Sequence, residues 1–174
     1  TVAAIRTDGT ISVWGSNGSN VLAHPLINNA QEIVVLSDVS TYYYNSVVVL
    51  CSDGTVQGWG HNGSGQLTGL DLLPPIVAIS GGRSSITFLT SNGEVIEKGS
   101  RYAVGHVVVE PLYDLINASG VIKISNGGTH TLALLSSGNV IAWGYNDYGQ
   151  CNVPGGIAGR VVAISAGDSH SLAL

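Results

Sequence analysis

The 174-residue sequence predicts an all-β fold of repeated antiparallel blades, and three spacings predict it. Turn signals recur at Asp8-Gly9, Asp53-Gly54, Asn92-Gly93 and Ser137-Gly138, with the glycines 45, 39 and 45 positions apart. Six positions after each stands another glycine: Gly15, Gly60, Gly99 and Gly144. Trp14, Trp59 and Trp143, all the tryptophans of the chain, precede three of these, and Lys98 takes the fourth place. A period of this size, carried by short apolar runs and tight turns, is the signature of a β-propeller blade.

Within a repeat the elements follow in order. The first strand is read in "EIVVLS", "PIVAISGG", "VIKISNGG" and "RVVAISAG". A short loop leads to the second, "VAAI", "VVVL", "ITFL" or "TLAL", and the turn leads to the third, "TISVW", "TVQGW" or "NVIAW". Asp-Gly or Asn-Gly between apolar runs signals a hairpin and predicts positive φ at both turn residues. A weaker fourth strand is expected after each Trp-Gly loop, giving antiparallel four-stranded blades. The chain is then a single repeat domain over 1–174, with repeats at 1–45, 46–84, 85–129 and 130–169. Residues 170–174, "HSLAL", begin a fifth in the slot that "TVAAI" fills at 1–5.

The pattern "VVAISAGDSHSLAL…SSGNVIAWGYNDYGQ" resembles the regulator-of-chromosome-condensation repeat, and the resemblance runs over essentially the whole chain. It is strong in the fourth repeat and clear in the second. In the first, Asn20 and Val21 replace the loop's Gly-Gln; in the third, Lys98 replaces Trp and "SRYAVGH" replaces the loop. The resemblance implies a seven-bladed propeller, so four repeats make an open arc or part of a larger ring. Because both ends supply the same strand, closure of these repeats on themselves is not expected. A longer propeller, an arc completed by another copy and a non-standard monomer stay open. With no Met and Thr1 first, a processed product or part of a longer chain is expected.

Composition narrows the function. Charged residues are 10% of the chain against about 25% in ordinary soluble domains, and the net charge is −5. Two lysines and four arginines without a cluster argue against phosphate-backbone binding, so no nucleic-acid partner is expected. No apolar run approaches the roughly 18 residues of a membrane helix, so no membrane insertion is expected. Cys51 and Cys151 fall at different points of different repeats and read as thiols rather than a disulfide.

No nucleophile elbow, zinc-protease motif or phosphate loop occurs, and no catalytic residue, cofactor or metal is expected. His130 and His170 share a slot that elsewhere holds Thr1, Ser46 and Ser85. The resemblance implies a structural role there, hydrogen-bonding loop backbone. His24, His61 and His106 lie in loops without a spaced partner for a metal.

The loops carry the candidates. In an up-and-down blade the Trp-Gly loops (15–20, 60–66, 99–106, 144–150) share a face with the loops between first and second strands. From Ser37 to Ser46 that second loop runs 9 positions, against 5 in the three others, and four extra residues enlarge "TYYYN". Tyr42, Tyr43 and Tyr44 there, with His61, Tyr102, Tyr145 and Tyr148 in the Trp-Gly loops, form the candidate protein-binding set, since tyrosine gives large contact area at low entropy cost. Asn17, Asn62 and Asn117 head sequons and are candidate N-glycan sites. The expected function is a non-catalytic protein-binding or scaffold module, extracellular or secreted, with a protein or further copies of itself as partner. A subunit of an extracellular polymer and a guanine-nucleotide exchange factor for a small GTPase are the alternatives. The low basic content weighs against the exchange factor.

Overall fold

In the computed structural model, which describes residues 1–37, 45–100, 108–109 and 120–174, each apolar run named above contributes residues to a strand, although "RVVAISAG" does so only at Ile164–Ala166. β1 (Val2–Ile5) pairs with β2 (Ile11–Trp14). β3 (Ala30–Ser37), β4 (Asn45–Cys51) and β5 (Val56–Gly60) form the second antiparallel sheet, and β6 (Ile76–Gly81), β7 (Ser85–Thr90) and β8 (Val95–Gly99) the third. The fourth contains β10 (Val121–Asn126), β11 (His130–Leu135) and β12 (Val140–Tyr145), with β9 (Val108–Val109) on the free edge of β12. β13 (Ile164–Ala166) and β14 (Ser171–Ala173) pair last. The fold is all-β, an arc of successive antiparallel blades.

The outer fourth strand is described in one blade, and it comes from the segment preceding that blade's first strand. Elsewhere among the described residues a 3-10 turn lies within the first Trp-Gly loop, at Gly18–Asn20, and after the second and fourth, at Leu70–Leu72 and Gly155–Ile157. These segments drop Val21 and Ile27, Leu70, and Cys151 into the cores between blades.

The middle strand of a blade is packed on both faces, which explains its unbroken apolar run. Along β4, Val47, Val49 and Cys51 join the cluster with Ile11 and Val21 of the first repeat, while Val48 and Leu50 join the one with Ile79, Ile86 and Phe88 of the β6–β7–β8 sheet. Period-2 alternation therefore sends one set of residues backward and the other forward along the arc. Two further clusters fill the junctions on either side of β11.

The hairpins differ from the expected geometry at one point. Gly9, Gly54, Gly93 and Gly138 have φ between 78° and 85°, but the residues before them do not have positive φ. Gly54 N bonds Cys51 O at 2.9 Å and Cys51 N bonds Thr55 O at 2.9 Å, the pattern of a type I turn closed by a glycine bulge. The aspartate contributes through its side chain instead: Asp53 Oδ1 accepts from Thr55 N at 3.0 Å and Thr55 Oγ1 at 2.6 Å, and Asp8 does the same for Thr10.

The β3–β4 hairpin also departs from expectation. Pairing places Val34 opposite Val48 as Ser80 lies opposite Thr87, so Val34, not Ser37, matches Ser80. From Val34 to Ser46 is twelve positions against five from Ser80 to Ser85, seven extra residues rather than four. Part of this length extends the strands, down to the Ser37–Asn45 pair.

Polar side chains stitch neighbouring blades. Ser80 Oγ accepts from Asn126 N at 2.8 Å, and Ser125 Oγ from Ala166 N at 2.9 Å. Val34 has no hydroxyl to offer, and Glu32 Oε2 accepts from Ile79 N at 2.9 Å instead. The tryptophans stitch backward along the arc. Trp59 Nε1 donates to Val21 O at 2.8 Å, and Trp143 Nε1 lies 3.1 Å from both carboxylate oxygens of Glu97. Thr87 and Thr131 hydroxyls donate to Glu97 Oε1 at 3.1 Å, so a carboxylate of the third repeat is held by both blades. Trp143 is 1% exposed and Trp14, in the first repeat, is 49% exposed.

Candidate functional site

The Trp-Gly loops and the loops between first and second strands lie at one end of the sheets, because Gly60 pairs with Ser46 and Gly144 with His130. After Trp59 and Trp143 the glycine is required by close approach. Gly144 has φ 109°, and a Cβ there would lie 2.7 Å from Thr129 O. With no side chain in the way, Tyr145 N bonds Thr129 O at 3.0 Å and His61 N bonds Asn45 O at 2.9 Å, anchoring each loop to the neighbouring strand start.

The loops are held from within. Asn62 Oδ1 accepts from Leu67 N at 2.7 Å, Asn146 Oδ1 from Cys151 N at 2.8 Å and Asn17 Oδ1 from Leu22 N at 2.9 Å. Gln66 Oε1 accepts from Ser64 N at 3.0 Å, and Gln150 Oε1 from Tyr148 N at 3.0 Å. Gln66 Nε2 reaches Ser46 Oγ and His61 O. In the fourth repeat His130 replaces that serine, and the buried Gln150 Nε2 has no partner among the described residues.

This frame presents Tyr145 and Tyr148. Their ring centroids are 6.0 Å apart with the planes tilted by 57°, and Tyr145 Oη donates to Asp147 Oδ2 at 3.0 Å. Partial burial first, then the Asp147 carboxylate, raises the Tyr145 phenol above its ordinary value of 10.0. Tyr148 is 73% exposed. His61 occupies the corresponding loop of the second repeat, half-buried.

Toward the inner strands, three loops are strapped together. Arg83 N bonds Gly128 O at 3.1 Å, and Gly128 N bonds Gly167 O at 3.2 Å. Arg83 closes over them onto Asp168, with Nε at 3.0 Å and Nη2 at 2.7 Å from Oδ1 and Nη2 at 2.5 Å from Oδ2.

His130 is 1% exposed, and its Nε2 lies 3.0 Å from Ser171 Oγ, which donates to Gln150 O at 2.7 Å. The hydroxyl therefore accepts from Nε2–H, and the ring bonds a side chain of the next repeat rather than the expected loop backbone. Burial, then the nearby His170, lowers the His130 pKa below 6.5, with Asp168 opposing. Among the described residues no group of three or more His, Cys, Asp or Glu side chains is placed to hold a metal. No helix of the described residues is long and apolar enough to cross a membrane. Cys51 and Cys151 are both buried, and Cys151 Sγ lies 3.4 Å from Tyr145 O.

Of the sequence candidates, the structure brings Tyr145 and Tyr148 together and places His61 at the same end of the sheets. Asn17 and Asn62 are exposed on those loops, although Asn62 Nδ2 donates to Thr68 Oγ1 at 3.2 Å. Tyr42, Tyr43, Tyr44, Tyr102 and Asn117 lie outside the described residues. Sequence reasoning missed Asp147, whose place between two tyrosines in "YNDYGQ" was the available signal, and the Arg83–Asp168 clasp, which had none.

Residues 121–150 match the regulator of chromosome condensation (RCC1) repeat. The chain is 36% identical over 90 residues to an X-linked retinitis pigmentosa GTPase regulator homolog of Caenorhabditis elegans, a match over 45% of this chain and 6% of that protein. Its fold is similar to that of Prp20p from Saccharomyces cerevisiae, solved in a study of binding to Gsp1p and histones. The TM-score is 0.72 at 15% identity, over 97% of this chain and 52% of that one. It is also similar to the ectodomain of the Arabidopsis thaliana receptor kinase ACR4, with a TM-score of 0.67 at 14% identity, over 98% of this chain and 54% of that one. The chain thus spans about half the length of these solved propellers and a small part of the curated relative.

Proposed function

We propose a non-catalytic protein-binding module whose contact face is the end bearing the Trp-Gly loops, a reading supported by the RCC1 repeat matched at residues 121–150 and by the fold similarity to Prp20p. The observation that carries this reading is the Tyr145–Tyr148 pair, held on an internally bonded loop with Tyr148 projecting into solvent. Rigid aromatic side chains on a fixed scaffold give contact area without a large ordering cost. In sequence, Tyr42, Tyr43 and Tyr44 fall between β3 and β4, a connection seven residues longer than its counterparts. The net charge of −5 and the engagement of Arg83 by Asp168 favour a protein over a nucleic-acid partner.

An extracellular setting is part of the proposal, supported by the low charge and by the exposed sequon asparagines Asn17 and Asn62. A second reading, regulation of a small GTPase, is supported by the name of the C. elegans relative. Nucleotide release from a GTPase panel separates it from simple binding.

The test is comparative capture of partner protein. Tyr148→Ala, and separately the triple change of Tyr42, Tyr43 and Tyr44 to Ala, should weaken capture at least tenfold with the circular dichroism spectrum unchanged. Asp53→Lys, on the turns at the opposite end, should leave it within twofold. Loss in Asp53→Lys with retention in both tyrosine variants would overturn the reading.

A further inference from the structure

We propose that His130 is an acid-sensitive latch that holds the β13–β14 hairpin against β11 and releases it when the imidazole is protonated. The latch goes beyond the protein-binding reading and does not depend on it. His130 is 1% exposed, and its Nε2–H donates to Ser171 Oγ at 3.0 Å, which in turn donates to Gln150 O at 2.7 Å. The other ring nitrogen, Nδ1, is buried without a hydrogen-bond partner. It lies against Gly127, where a Cβ would stand 2.5 Å from it. With Nε2 already carrying a hydrogen, Nδ1 is the atom to which a proton adds.

The neutral ring fits this place, since its only unmet group is one lone pair. Protonation would leave a charge and an N–H without an acceptor there, and burying an unpaired charge costs far more than burying a neutral acceptor. The charged groups that act on the ring do not relieve it. His170, on the hairpin side, opposes a positive ring. Asp168 favours one, but its carboxylate is bonded by Arg83 Nε at 3.0 Å and Nη2 at 2.7 Å. Nδ1–H gains a partner by turning to water, which breaks the bond to Ser171 and separates β14 from the Gln150 loop. The hairpin is then left with the Arg83 clasp and neutral bonds such as Ala166 N to Ser125 Oγ at 2.9 Å and Gly128 N to Gly167 O at 3.2 Å. Ser46 and Ser85 fill the slot of His130 in β4 and β7, so nothing titrates at that position in those sheets.

Hydrogen exchange at two amides of the full chain reads the latch against an internal control. Ala166 N, bonded to Ser125 Oγ, crosses the junction that His130 faces. Asn126 N, bonded to Ser80 Oγ at 2.8 Å, makes the same tie where Ser85 fills the slot. An imidazole released to its ordinary pKa of 6.5 is protonated about ten to one at pH 5.5. Between pH 7.5 and 5.5 the protection of Ala166 N, corrected for intrinsic exchange, should therefore fall at least about threefold, while that of Asn126 N stays within about twofold. His130→Gln should abolish the fall, and His170→Gln should keep it. No fall at Ala166 N, an equal fall at both amides, or a fall that survives in His130→Gln would overturn the latch. The His130 ring resonances give a check that needs no variant. A ring that becomes protonated across this range while Ala166 N keeps its protection would overturn the latch as well.

Discussion

Replacing each tryptophan by phenylalanine tests how the arc is held together. In Trp143→Phe the indole N–H that lies 3.1 Å from both Glu97 oxygens is lost, at a side chain 1% exposed. A hydrogen bond to a charged group contributes about 1.5–3 kcal/mol. The smaller ring leaves a void in the junction between the third and fourth repeats, adding about 1 kcal/mol. The expected loss is therefore about 3 kcal/mol. In Trp59→Phe the lost bond goes to the neutral Val21 carbonyl, and the loss should be about 1.5 kcal/mol. Trp14, half exposed, should tolerate the change within about 0.5 kcal/mol. Urea unfolding followed by far-ultraviolet circular dichroism reads the series directly. With a slope of about 2 kcal/mol per molar, Trp143→Phe should move the midpoint by about 1.5 M at unchanged slope. Equal losses at positions 14 and 143 would refute the backward stitching of blades.

Three further outcomes follow from the same geometry. His130 is held neutral, with its pKa below the unfolded value of about 6.5, while His170, Asp168 and the Arg83 paired with Asp168 surround its end of the strand. Its contribution is complete above about pH 6.5 and is lost as pH falls from there toward the lowered folded value. The drop in urea midpoint between pH 7.5 and 5.5 should accordingly be smaller in His130→Gln than in the natural chain. Gly144→Ala should cost at least about 3 kcal/mol, since it combines φ 109° with a Cβ 2.7 Å from backbone oxygen. Gly155→Ala, with nothing within 4 Å, should change the unfolding midpoint little.

The repeat was legible because its markers answer to local chemistry. The glycines at 9, 54, 93 and 138 all take the left-handed conformation, and the Trp-Gly slots all fall where the backbone crosses a neighbour. What the sequence hid depends on contacts between blades. "EIVVLS" reads like "PIVAIS" because both are near-continuous apolar runs without the alternation that would fix register, so the three-residue shift of Ser37 against Ser80 was invisible. Lys98 in the third tryptophan slot was an evident departure. That Glu97 beside it receives Trp143 from the next repeat required the packed junction. The tyrosine cluster was legible as residue type, and its pairing with Asp147 emerged from the loop's internal hydrogen bonds.

The central claim is that the end bearing the Trp-Gly loops meets a protein partner. A photo-crosslinking amino acid placed at position 148, and in a second protein at position 53, tests it most directly. The account predicts a discrete crosslinked partner from position 148, reduced by the Tyr145→Ala change, and none from position 53. A partner joined from position 53 and absent from position 148 would contradict it.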